Sequence, residues 1–152
     1  MLRVRQYESG DAPACGRLIE SAVETMVDAN APARALLRAH ARPELLEQEL
    51  DGHHVVVAED GSGVVGMAAL VGQEIRRVYV RADMQRSGVG RALMAALERE
   101  AERRGCETLD LTAGAAAAAF YERLGYERRG TGEFVDGYAR VPFVHMRKRL
   151  RG

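Results

Sequence analysis

The chain has 152 residues, of which 47% are hydrophobic and 29% charged, a composition typical of a globular protein that buries a core. Its 22 Lys and Arg residues balance its 22 Asp and Glu residues, which argues against a general nucleic-acid-binding protein. No apolar run reaches the roughly 20 residues of a membrane span, and the N-terminus lacks the apolar region of a signal peptide. We therefore expect a cytoplasmic protein that spans no membrane.

The first half of the chain predicts a strand, a group of helices and a hairpin. Residues 2–7 alternate between apolar and polar, which indicates a strand, and helical apolar spacing follows Asp11, which we expect to cap the helix. Asn30-Ala31-Pro32 interrupts this pattern, and further helices are predicted over 33–41 and 44–50. β-branched runs predict strands over 54–58 and 64–71, joined by a turn.

The second half predicts alternating strands and helices. A strand over 74–81 precedes a long helix from near Gly88 to Gly105, and a strand over 108–112 precedes an Ala-rich helix that ends near Leu124. Two last strands are predicted over 127–131 and 140–148, and no linker divides residues 1–152, so we expect a single domain. This order predicts an α/β (α+β) fold with a mixed, mostly antiparallel sheet of six to seven strands and helices on both faces. The fourth and fifth strands form its one parallel pair.

Two glycine-rich segments have different contexts. Gly61-Ser62-Gly63-Val64-Val65-Gly66 matches G-x-G-x-x-G, but a dinucleotide-binding fingerprint has to open a helix, and a strand follows here. We interpret this segment as a hairpin turn.

The segment Gln85-Arg86-Ser87-Gly88-Val89-Gly90 instead joins a strand to an amphipathic helix. Free backbone N–H groups and the positive helix end bind phosphate in this geometry. Gly88 and Gly90 leave the backbone accessible to an anion, and Arg86 and Arg91 add positive charge at the rim. From spacing alone, a plain glycine-rich entry to a helix is the alternative.

Residues 78–93 resemble the GNAT superfamily of N-acetyltransferases, whose signature is Q/R-x-x-G-x-G/A between a strand and a long helix. The segment Phe120-Tyr121-Glu122-Arg123-Leu124-Gly125-Tyr126 is similar to a second family segment, in the family's order. The resemblance implies a GNAT-like sheet whose parallel pair splays apart at the cofactor. It also implies acetyl-CoA as cosubstrate. Gly114 departs from the Asn that many members carry, so that contact to the pantetheine arm is missing or made by backbone.

The resemblance also assigns roles to residues. Amides from Arg86 to Arg91 would hold the pyrophosphate of CoA, and the backbone of Val78 and Val80 would pair with its pantetheine arm. The amide near Tyr79 would stabilise the oxyanion, and Tyr121 would protonate the departing thiolate. The expected cofactor-binding set is Val78, Tyr79, Val80, Gln85, Arg86, Ser87, Gly88, Val89, Gly90, Arg91 and Phe120.

The expected chemistry is attack of a neutral amine on a thioester. A lysine-like amine has a pKa of about 10.4, so a base is worth seeking. Glu74, at the start of the fourth strand, is the leading candidate, and a solvated strand-end charge is the alternative reading. His145, in the last strand, is expected to be a satisfied core residue, with a side chain that faces the acceptor cleft as the alternative, and His40 has no evident partner. Neither the histidines nor Cys15 and Cys106 show a ligand spacing, so no metal is expected.

The resulting hypothesis is an acetyl-CoA-dependent N-acetyltransferase that acts on a primary amine of a small molecule or protein by direct attack in a ternary complex. The alternatives are a non-catalytic acetyl-CoA-binding sensor and transfer of another acyl group. We expect residues 20–50 and 130–143 to contact the acceptor. Residues 130–143 are expected to form either an acidic, aromatic-lined entrance to the acceptor site or an ordinary mobile loop. Edge strands near the C-terminus are compatible with a homodimer.

Overall fold

A computed structural model describes residues 1–150, and its elements follow the predicted order. The strands are β1 (Arg3–Gln6), β2 (His54–Asp60), β3 (Gly63–Val71), β4 (Glu74–Val80), β5 (Thr108–Gly114), β6 (Glu127–Asp136) and β7 (Ala139–Arg149). The helices are α1 (Ala12–Val23), α2 (Ala31–Ala39), α3 (Pro43–Leu50), α4 (Val89–Arg103) and α5 (Ala118–Arg123). Within residues 1–150, no helix is long and apolar enough to cross a membrane.

The seven strands form one sheet in the order β1-β2-β3-β4-β5-β7-β6. All neighbours are antiparallel except β4 and β5, which are parallel. The β4–β5 pairing consists of Glu74 with Asp110 and Ile75 with Leu111, after which the two strands diverge. We call the space between residues 76–80 of β4 and 112–114 of β5 the strand gap. These findings confirm the predicted mixed sheet with one splayed parallel pair.

Helices cover both faces of the sheet, as predicted, but they cover the two faces unequally. On one face, α4 and α5 bury apolar residues of the central strands, among them Leu70, Leu93, Leu109 and Met146. On the other face, α1 and α3 cover β2 and β3, with Leu18, Leu46 and Met67 in a second core cluster. The alternate residues of β5 and β7 on this second face are polar and at least partly exposed, and we call this surface the open face: Asp110, Thr112, His145 and Arg147.

Two local expectations differ from the structure. Of the two alternatives for residues 130–143, the loop is excluded, because β6 and β7 pair from Glu127 with Arg147 to Asp136 with Ala139 and leave only a short turn between them. The carboxylate of Asp11 does not cap α1. Its oxygens instead accept hydrogen bonds from the Arg5 guanidinium at 2.8 and 2.9 Å and from the backbone N–H of Glu8 at 2.8 Å.

Candidate active site

A β-bulge at Arg77 determines which side chains of β4 face each side of the strand gap. Arg77 has a φ of 58°, and the register of β4 on β3 shifts between Met67 and Ala69. Bulges bend a strand and increase its twist, which agrees with the divergence of β4 from β5 directly after Ile75. As a result Val78 and Val80 pack with the α4 and α5 core, whereas Tyr79 packs with α1 and α3.

The segment after β4 exposes backbone donors at the start of α4. Arg86 and Gly88 have positive φ values of 65° and 92°, and Gly88 is the N-cap residue without a side chain to occupy the helix end. The N–H groups of Val89, Gly90 and Arg91 have no hydrogen-bond partner among residues 1–150. Unpartnered amides at a helix N-terminus attract anions, so this loop has the geometry that a pyrophosphate requires.

The side chains of the loop have distinct positions. Nε2 of Gln85 donates to Oγ1 of Thr25 at 2.9 Å and to the carbonyl of Val80 at 3.2 Å, so Gln85 ties the loop to α1 and β4. Oγ of Ser87 donates to the carbonyl of Met84. Arg86 and Arg91 are exposed, which leaves both guanidinium groups accessible at the rim of the helix N-terminus.

Gly90 brings the two predicted segments into contact. A Cβ on Gly90 would lie 2.9 Å from Cζ of Phe120, so only glycine lets the ring of α5 rest on the first turn of α4. The rings of Phe120 and Tyr121 are 5.0 Å apart in an edge-on arrangement. The glycine loop and the segment around Phe120 therefore form one surface on the α4 and α5 face.

Tyr121 lies on the same face as Val78 and Val80. Its side chain is buried in their core cluster, and this burial raises the pKa of its phenol. The hydroxyl has no hydrogen-bond partner among residues 1–150. Its oxygen still has some contact with solvent. A protonated phenol with a free hydroxyl can donate a proton or a hydrogen bond to a group bound beside it.

Glu74 is on the other face of the sheet. Its Oε1 accepts a hydrogen bond from Nε of Arg76 at 2.6 Å, and both side chains are partly exposed. Glu74 borders a cavity of about 280 Å³ on the open face, together with Thr112 and His145. The structure therefore separates Glu74 from Tyr121 and places it beside the closed end of the strand gap, where β4 and β5 still pair.

Some of the other titratable residues have positions or partners that differ from those predicted from the sequence. His145 is exposed, not a core residue, and its Nδ1 lies 2.7 Å from Oγ1 of Thr112. His40 does have a partner, since its Nδ1 is 2.8 Å from Oε1 of Glu49. Burial raises the pKa of Cys15 to about 12, so its thiolate is unavailable for acyl transfer. Across residues 1–150, no group of three or more His, Cys, Asp or Glu is placed to hold a metal.

The sequence indicated residues 20–50 as an acceptor region but did not single out residues 25–30, which cross the open face. Besides the bond from Gln85 to Thr25, Oδ2 of Asp28 accepts from the N–H of Ala116 at 2.9 Å. Oδ1 of Asn30 accepts from the N–H of Arg140 at 3.0 Å. In the sequence, Asn30 followed by Ala31-Pro32 is a pattern typical of a helix N-terminus. In the structure, Oδ1 of Asn30 caps α2 by accepting a hydrogen bond from the N–H of Ala33. Nothing in the sequence marks Asp28.

A family model described as "Acetyltransferase (GNAT) domain" matches residues 21–150. The chain belongs to the GNAT acetyltransferase family. The uncharacterized N-acetyltransferase YjcF of Bacillus subtilis (strain 168) is 32% identical over 112 residues, covering 71% of this chain and 78% of that protein. These findings confirm the family and the acetyltransferase activity predicted from the sequence. Enzymes of this family use acetyl-CoA as donor, which agrees with the predicted cosubstrate.

Solved structures with the same fold include a GCN5-related N-acetyltransferase from Rhodopseudomonas palustris. It has a TM-score of 0.90 and 26% identity, and the match covers 97% of this GNAT chain and 95% of that one. The PaiA N-acetyltransferase of Thermoplasma acidophilum, solved in complex with coenzyme A, has a TM-score of 0.79 at 14% identity, with 99% of both chains covered. The sheet topology of the GNAT chain is therefore shared over nearly its full length.

Proposed function

We propose that this GNAT acetyltransferase transfers an acetyl group from acetyl-CoA to a primary amine of a small molecule or protein, by direct attack in a ternary complex. The observation that carries the proposal is the strand gap. One side of it carries the unpartnered amides at the start of α4, and the other side is the polar open face. Two substrates can therefore approach one point from opposite faces of the sheet, as direct attack requires.

The proposed donor site uses the residues on the α4 and α5 face. Amides from Arg86 to Arg91 bind the pyrophosphate, since their donors are free and the guanidinium groups of both arginines are exposed beside them. The edge of β4 beyond Ile75 has no strand partner in β5, so the backbone of Val78 and Val80 is available to hydrogen-bond the pantetheine arm. Phe120, resting on Gly90, forms the apolar wall beside it.

Catalysis requires one C–N bond to form and one C–S bond to break. The backbone N–H of Tyr79 is proposed to stabilise the charge on the thioester oxygen, and Tyr121 to protonate the departing thiolate. The amine must lose a proton, and Glu74 is proposed to receive it, directly or through water. Its hydrogen bond with Arg76 favours the alternative of a structural strand-end charge, and Glu74→Gln distinguishes the two roles.

A thiol-release assay with a panel of amines tests the proposal. Release of free CoA that depends on an added amine, with the acetylated amine identified by mass spectrometry, is the expected result. Binding of acetyl-CoA without amine-dependent release would favour the sensor alternative. Competition between acetyl-CoA and succinyl-CoA for the site identifies the preferred acyl group.

Three further properties belong to this proposal. We place the protein in the cytoplasm and treat residues 1–152 as one domain. A homodimer through β6 is supported by the exposure of every residue of that edge strand. Size-exclusion chromatography with light scattering tests the dimer, and a monomer at micromolar concentration would exclude it.

A further inference from the structure

The segment over residues 25–30 bridges the strand gap on the open face. At one end, Thr25 accepts a hydrogen bond from Gln85 on the β4 side of the gap. Further along, Asp28 accepts from Ala116, directly after β5, at 2.9 Å, and Asn30 is bonded to Arg140 of β7. Because these bonds join it to elements on both sides of the gap, the segment is the boundary that an acceptor meets when it enters from the open face.

The register of the sheet places Asp28 opposite the proposed reaction centre. Glu74 pairs with Asp110 and Ile75 with Leu111; with the extra residue of the bulge counted, Gly114, four residues after Asp110, is level with Tyr79 across the gap. Gly114 lies on the same side of β5 as Asp110, the side of the open face. Both carboxylate oxygens of Asp28 lie beside it, at 3.6 and 3.8 Å from the position of a Cβ on Gly114. Gly114 therefore places no side chain between the carboxylate and the gap.

The carboxylate of Asp28 is fixed but not neutralised. Oδ2 accepts the hydrogen bond from Ala116, whereas Oδ1 has no hydrogen-bond partner and the group forms no salt bridge among residues 1–150. Asp28 is partly buried, and a partly buried carboxylate interacts with a cation more strongly than an exposed one because solvent screens it less. An unpaired negative charge beside the gap, held by one backbone hydrogen bond, is complementary to a positive charge on the acceptor.

We propose that Asp28 determines acceptor specificity by binding a second cationic group of the acceptor, a few bonds from the amine that is acetylated. The proposal rests on the proposed acetyltransferase function. The charge bound by Asp28 is not the reacting amine, because an amine that stays bound to a carboxylate as a cation keeps its proton and has no lone pair for attack. The substrate class is therefore a diamine or a basic amino-acid derivative, whose free amine reaches the gap while its second cation stays at Asp28.

The test compares diaminobutane with butylamine, which have the same carbon chain and differ by one amino group. Wild type should acetylate the diamine with the higher kcat/KM. Asp28→Asn keeps an oxygen that accepts from Ala116 but removes the charge, so it should reduce this preference by roughly tenfold, the loss expected for one charge-assisted hydrogen bond. The KM for acetyl-CoA and the rate with butylamine should not change. Asp51→Asn, an exposed carboxylate at the end of α3, is the matched control and should leave the preference unchanged.

An unchanged preference in Asp28→Asn, or a wild type that does not prefer the diamine, would overturn the inference and leave the acetyltransferase proposal intact. Absence of amine-dependent thiol release by wild type would instead count against the proposed function. In that case, calorimetric titration of diaminobutane into the CoA-saturated protein still tests Asp28. Wild type should bind roughly tenfold more tightly than Asp28→Asn, and equal affinities would refute the role.

Discussion

Replacement of Gly66 by alanine should loosen the contact between β3 and the first turns of α4. A Cβ on Gly66 would lie 2.7 Å from Cγ1 of Val89 and 2.9 Å from Cδ1 of Leu93. Carbon atoms in contact prefer about 3.5–4.0 Å, so the helix has to retreat by roughly 1 Å. Val89 and Leu93 are 1% and 0% exposed, which leaves them no free space to move into. We expect a loss of about 1–3 kcal/mol of stability, as for other overpacked cores.

Thermal unfolding measures the loss of stability, and calorimetric titration with CoA measures the effect on cofactor affinity. The unfolding midpoint of Gly66→Ala should fall by roughly 2–12 °C, from about 2–4 °C per kcal/mol for a chain of this size. CoA should bind more weakly, because the free amides of Val89 and Gly90 move with the helix. Gly61→Ala is the matched control, since a Cβ there meets nothing within 4 Å, and should stay within about 0.5 kcal/mol of wild type. Equal midpoints and equal CoA affinities for the two variants would refute the reasoning.

Three other predictions concern catalysis and pH. Tyr121→Phe should lower kcat by roughly 10²-fold without changing CoA affinity, and an unchanged kcat in steady-state assays would exclude the acid role. Glu74→Gln should lower activity most at low pH, where the amine is hardest to deprotonate; an equal loss across the pH–rate profile would indicate a structural role. The hydrogen bond from Arg5 lowers the pKa of Asp11 in the folded protein. The Asp11 carboxylate therefore stabilises the fold at pH values above its unfolded pKa of about 3.9. This stabilisation is lost as the pH falls through the pKa of Asp11 in the folded protein. Urea denaturation should therefore show Asp11→Asn less stable than wild type at neutral pH, with a deficit that shrinks below about pH 4; a constant deficit would contradict this.

The elements could be predicted, and a donor side could be proposed, because their signals are local. Alternation and helical spacing predicted the strands and helices in the correct order. The position of Gly88 and Gly90 between a strand and an amphipathic helix distinguished the proposed anion-binding loop from the hairpin turn at Gly61. The structure confirms that this turn joins β2 to β3. Each of these inferences depends on residues within one or two elements, where sequence distance and spatial distance agree.

Residues 20–50 and 130–143 were expected to contact the acceptor, but the individual contacts on that side could not be predicted, because they join residues that are distant in the chain. Asp28 and Ala116 are 88 positions apart, and no spacing rule connects a loop carboxylate to the backbone of a later turn. The glycines of residues 130–143 were misleading for a similar reason. A Cβ on Gly132 would lie 2.6 Å from Cζ of Phe143, so this glycine accommodates a ring across the β6–β7 pair and does not mark a loop.

The bulge in β4 follows from the placement of its two arginines. A regular strand would place Arg77 and Tyr79 on the same face as Ile75, so that a guanidinium would enter the α4 and α5 core. Burying a charge without a partner costs several kcal/mol. One extra residue avoids this cost, because it keeps Val78 on the core face and turns Arg77 toward α3, where Nη2 donates to Glu49 at 2.5 Å. The same irregularity bends β4 away from β5, so the hydrophobic pattern that requires the bulge also opens the strand gap where donor and acceptor are proposed to meet.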